Sequence, residues 1–138
     1  MKHFTASIIA AACIFFYSCN TNSTQKNLKS IKENITVAEA YKLLQDDAVL
    51  IDVREPEELG EESYDVKYIK NIPLGDLGLN LTEIPEDKQV ILACQKGGRS
   101  QEAFDLLKTK GFTNISNMEG GMNAWKEAGL PTKTGYQH

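Results

Sequence analysis

The stretch "QVILACQKGGRSQEAFDLL", Gln89 to Leu107, decides the fold. Its first part is a continuous apolar run without alternation, so Gln89–Cys94 reads as a central strand covered on both faces. From Ser100 to Lys110 the spacing predicts a helix, with Ala103, Leu106 and Leu107 facing the core and Gly111 as its stop. A buried strand running through glycines into a helix is the repeating unit of a parallel α/β sheet. In such sheets ligands bind beyond the carboxyl ends of the strands, and Cys94 stands at such an end.

The residues around Cys94 suit an anion. The N–H groups of the first helical turn lack intrahelical partners and point back at the loop. Gly97 and Gly98 are expected to supply the unusual dihedrals that a ring of inward N–H groups needs. Lys96 and Arg99 add positive charge. Together these features lower a thiol pKa and favour the thiolate, the nucleophilic form. A persulfide, or the oxyanion of a thiosulfate-like or phosphate-like substrate, would be held by the same groups. Taken alone, a cysteine at a strand end is most often a packed core residue; the glycines and Arg99 turn the reading toward catalysis. Histidine occurs only at positions 3 and 138, so no partner base or metal cluster lies in the expected domain. No metal and no cofactor is expected.

Working outward, "TVAE" at Thr36–Glu39 is a capping box before a helix bearing Val37, Tyr41 and Leu44 on one face. "AVLIDV" (Ala48–Val53) is a second buried strand, with Asp52 and Arg54 at its end read as a structural ion pair or helix cap. Pro56 suits the first turn of a short helix, and the acidic run Glu55–Glu62 reads as its solvated face. "YIKNIPL" (Tyr68–Leu74) and "FTNISNM" are two further strands. "GGMNAWKEAG" is a last helix, with Trp125 and Met122 in the core. Strands alternating with helices predict a single α/β domain over residues 35–133, followed by a tail at 134–138. The 138 residues are 41% hydrophobic and 25% charged, with a formal charge of −4, which argues against a nucleic-acid partner.

The N-terminus reads differently. Lys2 precedes an apolar run, Phe4–Tyr17, that is shorter than the roughly 20 residues of a membrane span and fits a secretory h-region. Ser18 and Cys19 end it, and "NTNSTQKNLKSIKEN" follows as a polar tether. The arrangement resembles a bacterial lipoprotein signal, which implies a signal peptide at 1–18, a lipidated Cys19 and a tether at 19–34. An uncleaved anchor and an ordinary secretory peptide are the alternatives. Cleavage before Cys19 would remove Cys13 and leave Cys94 as the only free thiol. The mature chain would carry 14 basic and 19 acidic residues, a formal −5.

"LIDVREPEEL" (Leu50–Leu59), "NIPLGDL" (Asn71–Leu77), "CQKGGRS" (Cys94–Ser100), "LLKTKGFTNI" (Leu106–Ile115) and "EGGMNAWKEAGLP" (Glu119–Pro131) together resemble a single-domain rhodanese, a member of the sulfurtransferase family. The resemblance implies a five-stranded parallel sheet flanked by helices. It implies that Cys94 takes sulfane sulfur from a donor such as thiosulfate, holds it as a persulfide and passes it to cyanide or a thiol. Gln95, Lys96, Gly97, Gly98 and Arg99 would form the cradle, with Arg99 fixing the loop and Ser100, Asp52 and Arg54 supporting it. Expected partners are the small donor and acceptor, a membrane through the lipid anchor and a possible protein sulfur acceptor; a monomer is expected, in the cell envelope and facing an extracytoplasmic space. In one place the chain departs from the family. "YDV" (Tyr64–Val66) stands where a Gly-His-Ile stretch is common, which leaves open the local surface beside the site.

Two other functions compete. Cysteine-based phosphatases and arsenate reductases share the fold and a cysteine-to-arginine loop, but the rhodanese-like phosphatases carry one more residue in it than the Gln95–Gly98 spacing here. A non-catalytic rhodanese-like binding module is the other, and an intact cysteine loop argues against it.

Overall fold

The structure, a computed structural model, describes residues 30–135. The expected signal, Cys19 and most of the tether lie outside the described residues. In chain order the elements are β1 (Asn34–Ile35), α1 (Val37–Gln45), β2 (Val49–Asp52), α2 (Pro56–Glu61), β3 (Ser63–Tyr64), β4 (Ile69–Asn71), α3 (Leu74–Leu77), a 3-10 turn (Leu81–Glu83), β5 (Val90–Ala93), α4 (Gly98–Thr109), β6 (Ile115–Met118), α5 (Gly121–Glu127) and β7 (Thr132–Lys133).

Five strands form one parallel sheet in the order β1-β6-β5-β2-β4. β5 and β2 lie inside it, buried at every position, as their unbroken apolar runs require. Their side chains alternate between the faces. Leu50 and Ile91 pack with Ala40 and Leu44 of α1 and Met122 and Trp125 of α5. Ile51 and Leu92 pack with Leu77 of α3 and Ala103, Phe104 and Leu107 of α4. The sheet is thereby covered on both faces, and the carboxyl ends of β2 and β5 open at one edge of the molecule. The predicted capping box holds α1: Glu39 N donates to Thr36 Oγ1 at 3.3 Å, and Thr36 N donates to Glu39 Oε2 at 3.0 Å.

Three features depart from the sequence reading. β1 takes in Asn34, which had been expected to end the tether, and Asn117 N donates to the Glu33 carbonyl beside it. A separate antiparallel pair, β3 with β7, joins Tyr64 to Thr132; two-residue strands carry no periodicity to read. The strands are also shorter than their apolar runs. Phe112, for example, packs against the core ahead of β6 while its N–H bonds the Leu107 carbonyl at the end of α4.

Candidate active site

Cys94 follows β5 and is buried, at 1% exposure. The chain then turns through Gly97, whose φ of 101° lies in the left-handed region that only glycine adopts cheaply. That turn brings Gly97 N to 3.0 Å from Cys94 Sγ, and it starts α4 at Gly98. The Cys94 thiol donates to Ser100 Oγ at 3.5 Å, and Ser100 Oγ donates to the Gly97 carbonyl at 3.1 Å, so on ionisation the hydroxyl is placed to turn its proton to the sulfur. Burial pushes the Cys94 thiol up. The Ser100 hydroxyl and the N–H groups of Ser100, Gly97 and Lys96 outweigh it, so the pKa falls below the ordinary cysteine value.

The two glycines are not equivalent, which corrects the sequence expectation. Gly98 is the first helical residue, has no positive φ, and a Cβ on it would meet nothing within 4 Å. The required glycine is Gly97, where a Cβ would also come 3.1 Å from Gly120 N. Lys96 contributes its backbone N–H while its side chain is exposed. Gln95 lends its carbonyl and side chain to neighbouring elements rather than to the cradle.

The loop is held by groups that the sequence reading did not assign to it. α5 docks its first N–H groups onto loop carbonyls: Met122 N donates to Cys94 O at 2.8 Å and Asn123 N to Gln95 O at 3.1 Å. Close approach requires glycine at Gly121, where φ is 55° and a Cβ would lie 2.3 Å from Cys94 O. Gln95 Nε2 donates to Asn123 Oδ1 at 2.6 Å, and Gln95 Oε1 accepts from Arg54 Nη1 at 3.1 Å.

Asp52 and Arg54 form the ion pair expected at the end of β2. Arg54 donates through Nε and Nη2 to the Asp52 carboxylate at 2.8–3.0 Å, and both side chains are almost wholly buried. Burial pushes the Asp52 carboxyl up, and the adjoining guanidinium opposes that shift. Such a pair costs desolvation, and its return is geometric: Arg54 reaches on to Gln95 and to the Glu62 carbonyl.

Arg99, expected to fix the loop, lies in the first turn of α4 and pairs with a carboxylate. Its Nη1 and Nη2 donate to Glu58 at 2.7 and 2.8 Å, tying α4 to α2. This corrects the reading of the acidic run as merely solvated: Glu58 holds Arg99, and Glu62 pairs with Lys126 at 2.6 Å. Tyr64, where the chain departs from the family pattern, is fully buried, and its hydroxyl donates to Cys94 O at 2.8 Å. Trp125 is buried as expected, and its Nε1 donates to Pro131 O at 2.9 Å. A hollow of about 260 Å³ lined by Glu86, Lys110 and Phe112 lies beyond the other end of α4 and brings no group to Cys94.

Comparison with known proteins fits this geometry. A family model described as the rhodanese-like domain matches residues 36–128. The chain is 41% identical over 106 residues to an uncharacterized protein of Synechocystis sp., covering 75% of this chain and 58% of that one, so it spans less than two thirds of that relative. It is 31% identical over 86 residues to a protein of Allochromatium vinosum named a sulfurtransferase, covering 62% of this chain and 78% of that one. A rhodanese-related protein from Thermoplasma volcanium superimposes with a TM-score of 0.66 at 32% identity, covering 74% of this chain and 98% of its own. Matched over most of its length, this chain belongs to the family of rhodanese-like domains, with sulfurtransferases among its relatives.

Proposed function

We propose that the chain is a sulfurtransferase that carries sulfane sulfur as a persulfide on Cys94. The observation that carries the reading is the Cys94 sulfur, held 3.0 Å from Gly97 N inside a loop that lowers its pKa. In the first half-reaction the thiolate attacks the outer sulfur of a donor such as thiosulfate. The donor's S–S bond breaks, sulfite leaves with the electron pair, and the new S–S bond makes the persulfide. In the second, cyanide or a thiolate attacks the outer persulfide sulfur. Thiocyanate or an acceptor persulfide leaves, and the Cys94 thiolate returns.

The four residues between Cys94 and Arg99, one fewer than in the rhodanese-like phosphatases, favour a single added sulfur atom over a tetrahedral oxyanion. On the reading that Cys13 is cleaved away and Cys19 carries lipid, Cys94 has no resolving thiol in the chain, and the persulfide is discharged by an outside acceptor, a small thiol or a thiol on a partner protein. We place the chain in the cell envelope, anchored by lipid on Cys19, on the pattern of its first 19 residues.

The test is a thiosulfate-to-cyanide assay on the wild type and Cys94→Ser. Thiocyanate should form with the wild type alone, because an alcohol cannot carry the persulfide. Transfer by pure Cys94→Ser would overturn the assignment. Fractionation checks the location: the wild type should travel with membranes and Cys19→Ala should not be lipidated.

A further inference from the structure

The carbonyl of Cys94 accepts two hydrogen bonds, one from Met122 N and one from the Tyr64 hydroxyl, each at 2.8 Å. Both of its lone pairs are therefore used. The Met122 bond belongs to the helix docked on the loop. The Tyr64 bond comes from β3, thirty residues earlier in the chain, in the stretch where the sequence leaves the family pattern. Tyr64 is 0% exposed and caged. Its ring meets Trp125 edge-on at 5.1 Å, the Arg54 guanidinium lies 5.5 Å from its centroid, and β3 is pinned by β7. A buried phenol needs a hydrogen-bond partner, and here that partner is the backbone of the cysteine itself.

We propose that Tyr64 is a positioning residue for Cys94: its caged hydroxyl fixes the Cys94 peptide so that the sulfur meets the N–H groups of the loop. The inference rests on the reading of Cys94 as the nucleophile. Two physical effects follow from the bond. It stops the peptide between Cys94 and Gln95 from rotating about its remaining support. It also draws negative charge out of the carbonyl oxygen next to the sulfur, which favours the thiolate. The ionisable groups around Cys94 are the Asp52–Arg54 pair at the end of β2, the Glu58–Arg99 pair between α2 and α4, and Tyr64 from β3; Lys96 is exposed, and α5 faces the loop with backbone N–H groups and Asn123. Tyr64→Phe changes none of the other charges and keeps the ring against Trp125 and Arg54.

The experiment is the rate of Cys94 alkylation by iodoacetamide as a function of pH, followed by mass on the Cys94 peptide of the full chain. Tyr64→Phe should shift the profile upward by about half a pH unit, leaving about threefold less thiolate below the transition. Tyr41→Phe, which removes a hydroxyl from the ring that meets Trp125 edge-on at 5.6 Å and leaves Tyr64 and its cage intact, should not move the profile. Incorporating 3-fluorotyrosine at position 64 keeps the shape and strengthens the donor, so the profile should move down; this arm decides if Tyr64→Phe fails to fold. Profiles that superimpose on the wild type would overturn the proposal. Alkylation needs no sulfur donor, so a wild type that takes no sulfur from thiosulfate would defeat the functional reading and leave this one standing.

Discussion

The Cys94 loop has two flanks, and they do different work. On the α4 side, Gly97 N and Ser100 Oγ address the sulfur itself and act on its charge. On the side of α5 and β3, Met122 N, Asn123 N and Tyr64 Oη address carbonyls; they act first on geometry and reach the sulfur's charge only through the backbone. The first flank is local, within six residues of the cysteine. The second is assembled from segments thirty residues before it and nearly thirty after it. The difference teaches that a loop which stabilises an anion through its N–H groups must also find partners for the carbonyls turned outward, and that the fold supplies them.

The comparison can be broken on either side. Cys94→Ser removes what both flanks serve and should abolish sulfur transfer while the fold melts as a single transition near the wild type. Gly121→Val is next. Its Cβ would press to 2.3 Å of the Cys94 carbonyl at a positive φ, so it should destabilise by about 3 kcal/mol or more and remove activity, measured by denaturant melts and turnover. Gly97→Ala should cost about 1–3 kcal/mol through its left-handed φ and disturb the N–H that meets the sulfur, lowering the rate of Cys94 alkylation at neutral pH. Gly98→Ala sharpens the contrast: with open space and a helical position it should keep activity and gain up to about 1 kcal/mol of helix propensity.

The smallest effect is expected at the Glu58–Arg99 pair. About a third of each side chain is exposed, so Glu58→Gln should cost about 1 kcal/mol or less in a melt at neutral pH. Arg99 holds the Glu58 carboxyl below the usual range. Folding thus lowers this pKa, and the pair's contribution is complete above the ordinary carboxylate value of 4.5 and is lost as pH falls through the lowered one. The wild type and Glu58→Gln should converge in stability as the solution is acidified through that window.

The sheet was legible because β2 and β5 are buried on both faces and write unbroken apolar runs. The chemical flank of the site was legible too, since Cys94, Gly97 and Ser100 are neighbours in sequence. The geometric flank was not. Tyr64 carries its contact across thirty residues and lies in a two-residue strand, and Glu58 looks like any other carboxylate in an acidic run. Gly120 and Gly121 did leave a signal, a glycine pair opening a helix that carries a buried Trp125, but its meaning depends on the Cys94 carbonyl lying against it. Gly98 was misjudged because adjacent glycines look alike until one of them is seen to start α4.

The central claim, that Cys94 carries the sulfur, is tested most directly by the intact mass of the purified chain after exposure to thiosulfate and removal of excess donor. The account predicts a gain of about 32 Da, one sulfur atom, confined to the Cys94 peptide and reversed by cyanide or a small thiol. An unchanged mass, or a gain that persists in Cys94→Ser, would contradict it.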